Sequence, residues 1–300
     1  MVWIPQMPTN SLSLVLQKAK KQMEHSKVWY ITGASKGLGL SLVKQLLRKG
    51  QKVAATSRNA TVLKEELANE GTALFLPLEV DLTDEHSIEN SIKATIDQFG
   101  KIDVVINNAG YGTGGALEEL TNKEIQQSFE VNFFAVIKVI QQVLPFMRKE
   151  QSGHIINISS IAGFAPGTGW SVYGAAKSAI NGLSEALAQE LQPLGICVTV
   201  VSPGWFRTSF AKEESIALSE KEIADYEHIR EAHRKFKSTD GKQIGDPDKV
   251  ADVFMKLVNA SNLPSNLFLG SDAYERASSK VKDLSNGMQA WREVSFSTDF

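Results

Sequence analysis

The stretch V-W-Y-I-T-G-A-S-K-G-L-G, Val28 to Gly39, decides the fold. Val28 to Thr32 are all β-branched or aromatic, the composition of a buried strand. Gly33, Gly37 and Gly39 then permit a tight turn, close approach of backbone to a ligand, and close packing of a helix on the strand. A helix starting there aims its N-terminus at an anion, the geometry of a pyrophosphate site. The spacing is G-x-x-x-G-x-G rather than G-x-G-x-x-G, so the turn alone is also compatible with a plain glycine bend, and its neighbourhood has to decide.

Working outward, short β-rich runs alternate with helical patterns from Lys27 onward, the signature of repeated βαβ units. The strands are expected at Val28 to Thr32, Lys52 to Thr56, Ala73 to Glu79, Ile102 to Ile106, His154 to Ile158, Cys197 to Val201 and Asn266 to Leu269. Right-handed crossovers give an α/β, Rossmann-type doubly wound fold with a seven-stranded parallel sheet, one domain over residues 27–300, and ligands at the carboxyl ends of the strands. Thr121 and Glu124 form a capping-box signal for the helix that carries Asn132. Residues 1–26 are an N-terminal extension, with a second possible start at Met23. Residues 209–245 are long, polar and helix-prone, placed where a lid would cover substrate. In the tail, residues 271–300, Tyr274, Ala277, Val281, Leu284, Met288 and Trp291 recur at 3,4 spacing. That seam packs either on its own domain or on another subunit.

The 300 residues are 42% hydrophobic and 22% charged, enough for a normal core, and a net charge of -2 gives no electrostatic case for nucleic acid. Cys197 is the sole cysteine and excludes an internal disulfide or a cysteine metal site; its apolar surroundings, I-C-V-T-V-V, predict a buried strand residue. No apolar run approaches the ~20 residues of a membrane span. The early lysines follow the apolar segment rather than precede it, unlike a secretory signal, so a cytoplasmic protein is expected. His154, His228 and His233 show no metal-ligand spacing, and no metal is expected.

The second strand ends in Thr56, Ser57 and Arg58, where an NAD-selective site would place an acid for the ribose diol. An arginine there suits a 2′-phosphate, and Lys36 in the glycine turn can converge on the same group. Together they predict NADP(H). Further along, Tyr173 and Lys177 stand four apart, on one helix face, with Ser160 upstream. A free phenol titrates near ~10, and a neighbouring ammonium is expected to lower it toward neutrality.

With these motifs in place, the chain resembles the short-chain dehydrogenase/reductase family, in its single-domain branch, over residues 27–270. Thr32 to Gly39 matches T-G-x-x-x-G-x-G, and Asn107 to Gly110 matches N-N-A-G beside the cofactor. The resemblance implies catalysis by Asn132, Ser160, Tyr173 and Lys177: Tyr173 as proton donor, Ser160 orienting the substrate oxygen, Lys177 holding the nicotinamide ribose, and Asn132 passing protons through water. It implies a cofactor surface of Gly33, Ser35, Lys36, Gly37, Leu38, Gly39, Ser57, Arg58, Asp81, Leu82, Asn108, Ala109, Gly110, Tyr173, Lys177, Pro203, Gly204, Phe206 and Thr208. Within that surface Asp81 and Leu82 match the adenine contact, and Pro203, Gly204 and Thr208 match the segment that holds the carboxamide. Trp170, Trp205, Phe206, Phe210 and Tyr111 crowd these motifs and favour an apolar substrate. The expected activity is hydride transfer between NADP(H) and a carbonyl or secondary alcohol of a lipophilic small molecule, loosely as in the steroid- and retinol-dehydrogenase-like members. The expected assembly is a homodimer or homotetramer. The alternatives are a catalytically silent dinucleotide-binding sensor or scaffold, and a sugar-nucleotide epimerase or dehydratase; the latter usually carries a larger C-terminal domain and another glycine spacing.

Overall fold

The computed structural model describes residues 26–70 and 73–300, so all of the N-terminal extension except Ser26 lies outside the described residues. The strands are β1 (Val28–Ile31), β2 (Lys52–Ser57), β3 (Phe75–Glu79), β4 (Val104–Asn107), β5 (Gly112–Gly114), β6 (Gly153–Ile158), β7 (Ile196–Pro203), β8 (Ile216–Leu218) and β9 (Asn266–Leu269). The helices are α1 (Gly37–Arg48), α2 (Ala60–Glu66), α3 (Glu85–Phe99), α4 (Asn122–Phe129), α5 (Ala135–Glu150), α6 (Ile161–Phe164), α7 (Ser171–Leu191), α8 (Glu227–Lys237), α9 (Val250–Leu257), α10 (Ser271–Ala290) and α11 (Arg292–Phe296).

Seven strands pair in the order β3-β2-β1-β4-β6-β7-β9, every pair parallel. Alternation along each strand sends neighbouring side chains to opposite faces. Trp29, Ile31 and Ile106 meet Leu42 and Leu46 of α1 and Phe254 of α9 on one face. Tyr30 and Val105 meet Ile88 and Ile92 of α3, Val139 of α5 and Ile180 of α7 on the other. A sheet covered on both faces needs strands that are apolar throughout, which is why β1 carries no polar residue. Strand order reverses between β1 and β4, and the crevice at their carboxyl ends is the place for a ligand.

β5 and β8 escape a reading by pattern, because each is three residues long and β5 is Gly-Thr-Gly. They pair in parallel as a small second sheet that ties the segment after β4 to the insertion over residues 209–245. The neck of this insertion is closed where Arg207 N–H donates to the Gly245 carbonyl (2.9 Å) and Gly245 N–H to the Trp205 carbonyl (2.9 Å). Its far side is anchored on Glu119, 3% exposed, which accepts from Ile223 N–H and from Arg230 Nη1, both at 2.8 Å.

The capping box forms: Thr121 N–H donates to the Glu124 carboxylate at 2.7 Å, and Glu124 N–H to Thr121 Oγ at 3.3 Å. It opens one helical run, Asn122–Glu150, that by length and composition could cross a membrane; here it packs on the sheet through Val136, Val139, Ile140 and Val143. Cys197 is exposed, against expectation: it is an outward residue between Ile196 and Val198, both buried. The tail also departs from packing on its own domain. Ala273 and Ala277 of α10 are buried against Ile161, but Tyr274, Val281, Leu284, Met288 and Trp291 are exposed.

Buried His154 on β6 shares a 2.9 Å hydrogen bond with Thr199 on β7, and desolvation lowers its pKa to about 4. An unfolded histidine takes a proton near ~6.5 while the folded one stays neutral, so stability falls as pH drops from there toward 4. Denaturant titrations across this window should show the wild type losing ~3 kcal/mol more than His154→Gln.

Candidate active site

The crevice is built from backbone first. Thr32 N–H donates to the Ile106 carbonyl at 3.0 Å, joining the ends of β1 and β4. Thr32 Oγ accepts the N–H groups of Asn108 (3.0 Å) and Ala109 (3.1 Å). The Asn108 amide donates back to the carbonyls of Thr32 and Gly33, both at 2.9 Å. The two glycine motifs are thereby locked together. Gly33 has φ +66°, and a Cβ there would lie 2.7 Å from the Ala109 Cα; a Cβ on Gly39 would lie 2.6 Å from the Asn108 amide nitrogen. Each glycine is required by its neighbour.

Around this cradle stand the other expected cofactor residues. Ser57 accepts Asn59 N–H (3.2 Å) and shapes the turn that leaves Arg58 exposed at the end of β2. Arg58 is close enough to Asp81 to help hold its carboxyl below the usual range, after the larger effects of the Thr83 hydroxyl and N–H. Thr208 overhangs the glycine turn, its Cβ 3.6 Å from where a Gly37 Cβ would be. Pro203 and Gly204 are held by Gly204 N–H on the Leu269 carbonyl (2.8 Å), and Trp205 N–H reaches the Asp272 carboxylate at 2.8 Å. A side chain on Gly204 would collide with that carboxylate. The Lys36 ammonium donates to the Glu214 carbonyl at 2.8 Å, because the first turns of the insertion come down beside the glycine loop. Phe206 packs on the core beneath α1 and against Gly245.

The catalytic candidates converge from three elements. Tyr173 and Lys177 lie on α7, 7% and 4% exposed. Ser160 caps α6, accepting Ala162 N–H at 3.1 Å, and stands near enough to the Tyr173 phenol to oppose the rise of its pKa. Asn132, fully buried, sits in a π-helical segment, Glu130–Phe134, between α4 and α5. The widened turn frees the helix to present Asn132 inward, as such bulges do at functional sites. Its amide donates to the Tyr111 carbonyl (3.0 Å) and accepts Tyr111 N–H (3.2 Å). A point beside Gly110 lies 2.7 Å from Asn132 Oδ1 and 3.2 Å from Lys177 Nζ, so both groups face one spot at the cradle's edge.

The electrostatics correct one expectation. Lys177 Nζ is 5.9 Å from the Tyr173 ring centre and donates to the Ile158 carbonyl at 3.0 Å rather than to the phenol. Burial therefore dominates both groups. It pushes the phenol up to about 12, against the lowering effect of Ser160, and brings the ammonium down to about 8.

Aromatic residues cover Tyr173. Trp170 meets it edge-on at 6.1 Å and Phe210 lies tilted at 6.1 Å. The insertion buttresses Trp170 through His233 (4.9 Å) and Phe236 (5.4 Å) of α8, with His233 Nε2 3.1 Å from the Gly169 carbonyl. Trp205, 41% exposed, meets the far side of Phe236 at 5.7 Å. A cleft of about 480 Å³ opens beside this wall between Ala116, Leu117, Ser171 and Ile229.

The family model for short chain dehydrogenases matches residues 27–218. The chain belongs to the short-chain dehydrogenase family. It is 35% identical over 275 residues to oxidoreductase BOA17 of Botryotinia fuckeliana, covering 91% of this chain and 99% of that one. It is 36% identical over 240 residues to a 3-ketodihydrosphingosine reductase of Bacteroides thetaiotaomicron, covering 80% and 86%. The crystal structure of a short-chain dehydrogenase from Streptomyces avermitilis superposes with a TM-score of 0.85 at 33% identity, covering 92% of this chain and all of that one. As a short-chain dehydrogenase, the protein is an oxidoreductase.

Asp272, His233 and Phe236 are the site residues that sequence reasoning missed. Asp272 follows Gly270 on the outermost strand's far side, and nothing in its neighbourhood signals contact with Trp205, 67 residues away. His233 and Phe236 carry a weak signal: they stand three apart on the expected lid helix.

Replacing Gly33 with alanine forces a left-handed backbone conformation on a residue with a side chain and drives its Cβ into Ala109. Gly33→Ala should lower stability by at least ~1 kcal/mol in thermal melts and abolish dinucleotide binding in fluorescence titrations.

Proposed function

We propose that this short-chain dehydrogenase is an NADPH-dependent reductase of a lipophilic ketone or aldehyde. The observation that carries the reading is geometric: the buried Tyr173 and Lys177 share α7 beside Ser160 and Asn132 at the edge of the glycine cradle, so a carbonyl there would meet a hydroxyl donor. The cofactor fits the cradle, since the glycine turn and Gly110 keep backbone open to it, and exposed Arg58 at the end of β2 is the cation that would take a 2′-phosphate. Bound there, a reduced nicotinamide supplies the hydride.

Every other part of the reaction falls to side chains. As hydride reaches the carbonyl carbon, negative charge develops on its oxygen, which must be met by donors placed beforehand. Ser160 Oγ orients that oxygen, and the Tyr173 hydroxyl gives it a proton. Lys177, fixed by Ile158, holds positive charge near the Tyr173 ring and, from the spot it shares with Asn132, would hold the nicotinamide ribose. That shared spot lets Asn132 return a proton to the pair through water. Trp170, Phe210 and the insertion exclude bulk water and favour an apolar substrate body. The similarity to a ketodihydrosphingosine reductase supports a ketone as the group reduced.

A carbonyl panel with NADPH tests the activity itself. Tyr173→Phe should lose at least ~100-fold in kcat while retaining NADPH binding. A variant with near-normal turnover would falsify the proton donor. Arg58→Ala should weaken NADPH roughly 10- to 150-fold and leave NADH nearly unchanged, since charged hydrogen bonds are worth ~1.5 to 3 kcal/mol. Equal losses for the two cofactors in binding titrations would remove Arg58 from the phosphate site.

Lys177 sets the alkaline limit. It is charged below about 8 and neutral above, so kcat/KM for reduction should fall as pH rises through that value. A profile flat to pH 10 would show that the lysine charge is dispensable.

A further inference from the structure

The tail past Lys280 serves neither the sheet nor the site. Every residue from Val281 to Phe300 is exposed, and α11 follows α10 directly across Trp291 (φ −104°, ψ 11°): Trp291 N–H bonds the Gly287 carbonyl (3.1 Å) and Ser295 N–H the Trp291 carbonyl (2.9 Å). Along that tail Val281, Leu284, Met288 and Trp291 form one apolar seam, 49% to 75% exposed, and Val294 flanks it at 57%. A helix this short is marginal in water unless its apolar face is packed. Something covers the seam.

We propose that the cover is the same seam of a second copy, in an antiparallel helix pair. The 3,4 spacing from Tyr274 to Trp291 is the pattern of a two-helix seam rather than of a helix on a sheet. Crossing two copies near Asn286 sets Val281 against Trp291 of the partner subunit and Leu284 against Met288 of the partner subunit, one smaller residue to each larger one. Ser285 and Gly287 flank the crossing point, and among the described residues nothing lies within 4 Å of a Cβ on Gly287. Close approach of the two backbones is open there. In this register Lys280 flanks Val294 of the partner subunit and Arg292 flanks Ser278 of the partner subunit, so no like charges meet.

Charge argues against lipid as the cover. Lys280, Lys282 and Arg292 are balanced by Asp283, Glu293 and Asp299, and no basic face accompanies the seam. The free tail spans up to ~28 Å from Ser278 to Phe296, which lets an antiparallel pair hold its two domains at opposite ends.

The test is the solution mass of the full chain by light scattering. Leu284→Glu combined with Met288→Glu should halve the mass while NADPH-dependent turnover stays the same, whether the wild type is a dimer or a tetramer. In a Cys197→Ser background, Gly287→Cys should be joined to its copy by a short bis-maleimide, whereas Lys282→Cys, on the outer face, should not. An unchanged mass in the double variant overturns the interface. Crosslinking at position 282 in place of 287 overturns the register. A wild type that is monomeric, free or on phosphatidylcholine vesicles, overturns the choice of partner.

Discussion

The site depends on one seam in the backbone, where the end of β1 meets the end of β4. Asn108 gives both its amide hydrogens to the carbonyls of Thr32 and Gly33, while Thr32 Oγ takes two backbone N–H groups in return. Each such bond is worth only ~1 kcal/mol net, but a lost partner would strand buried polar groups at a cost of up to ~3 kcal/mol each. The exchange fixes the glycine turn against Ala109 and Gly110 at contact distance. Anything bound over the turn is thereby set in register with the spot that Asn132 and Lys177 face.

Burial then sets the electrostatics of Tyr173 and Lys177. A lysine placed under a tyrosine suggests a phenol made acidic, yet both groups are withdrawn from water and each is pushed toward its neutral form. Lys177 spends its shortest hydrogen bond on Ile158, which makes it a fixture of the β6 end. Ser160, capping α6, is the group that opposes the rise of the phenol.

The insertion is tied to the body through β5 and β8, through the Gly245 neck, and through buried Glu119. It meets Tyr173 directly through Phe210 and indirectly from α8 through Trp170. Lys36 links the same insertion to the glycine turn. Substrate wall and cofactor loop thus share a single attached element.

By itself the sequence determined the strands of the main sheet and the order of elements along the chain, and it singled out the four residues proposed to react. Alternation of apolar runs is a local signal, and the spacing of Tyr173 and Lys177 is fixed by the helix that carries both. Glycine at 33 and 39 was likewise legible, though the atoms that demand it, on Ala109 and Asn108, appear only when β1 and β4 lie side by side. Only the tertiary structure decided the direction of the Tyr173 shift, the turn of Lys36 toward Glu214, the exposure of Cys197 and of the tail seam, and the roles of Asp272 and His233. These depend on desolvation and on contacts between residues far apart in the chain, such as Trp205 with Asp272, and neither quantity has a periodicity that a sequence can display.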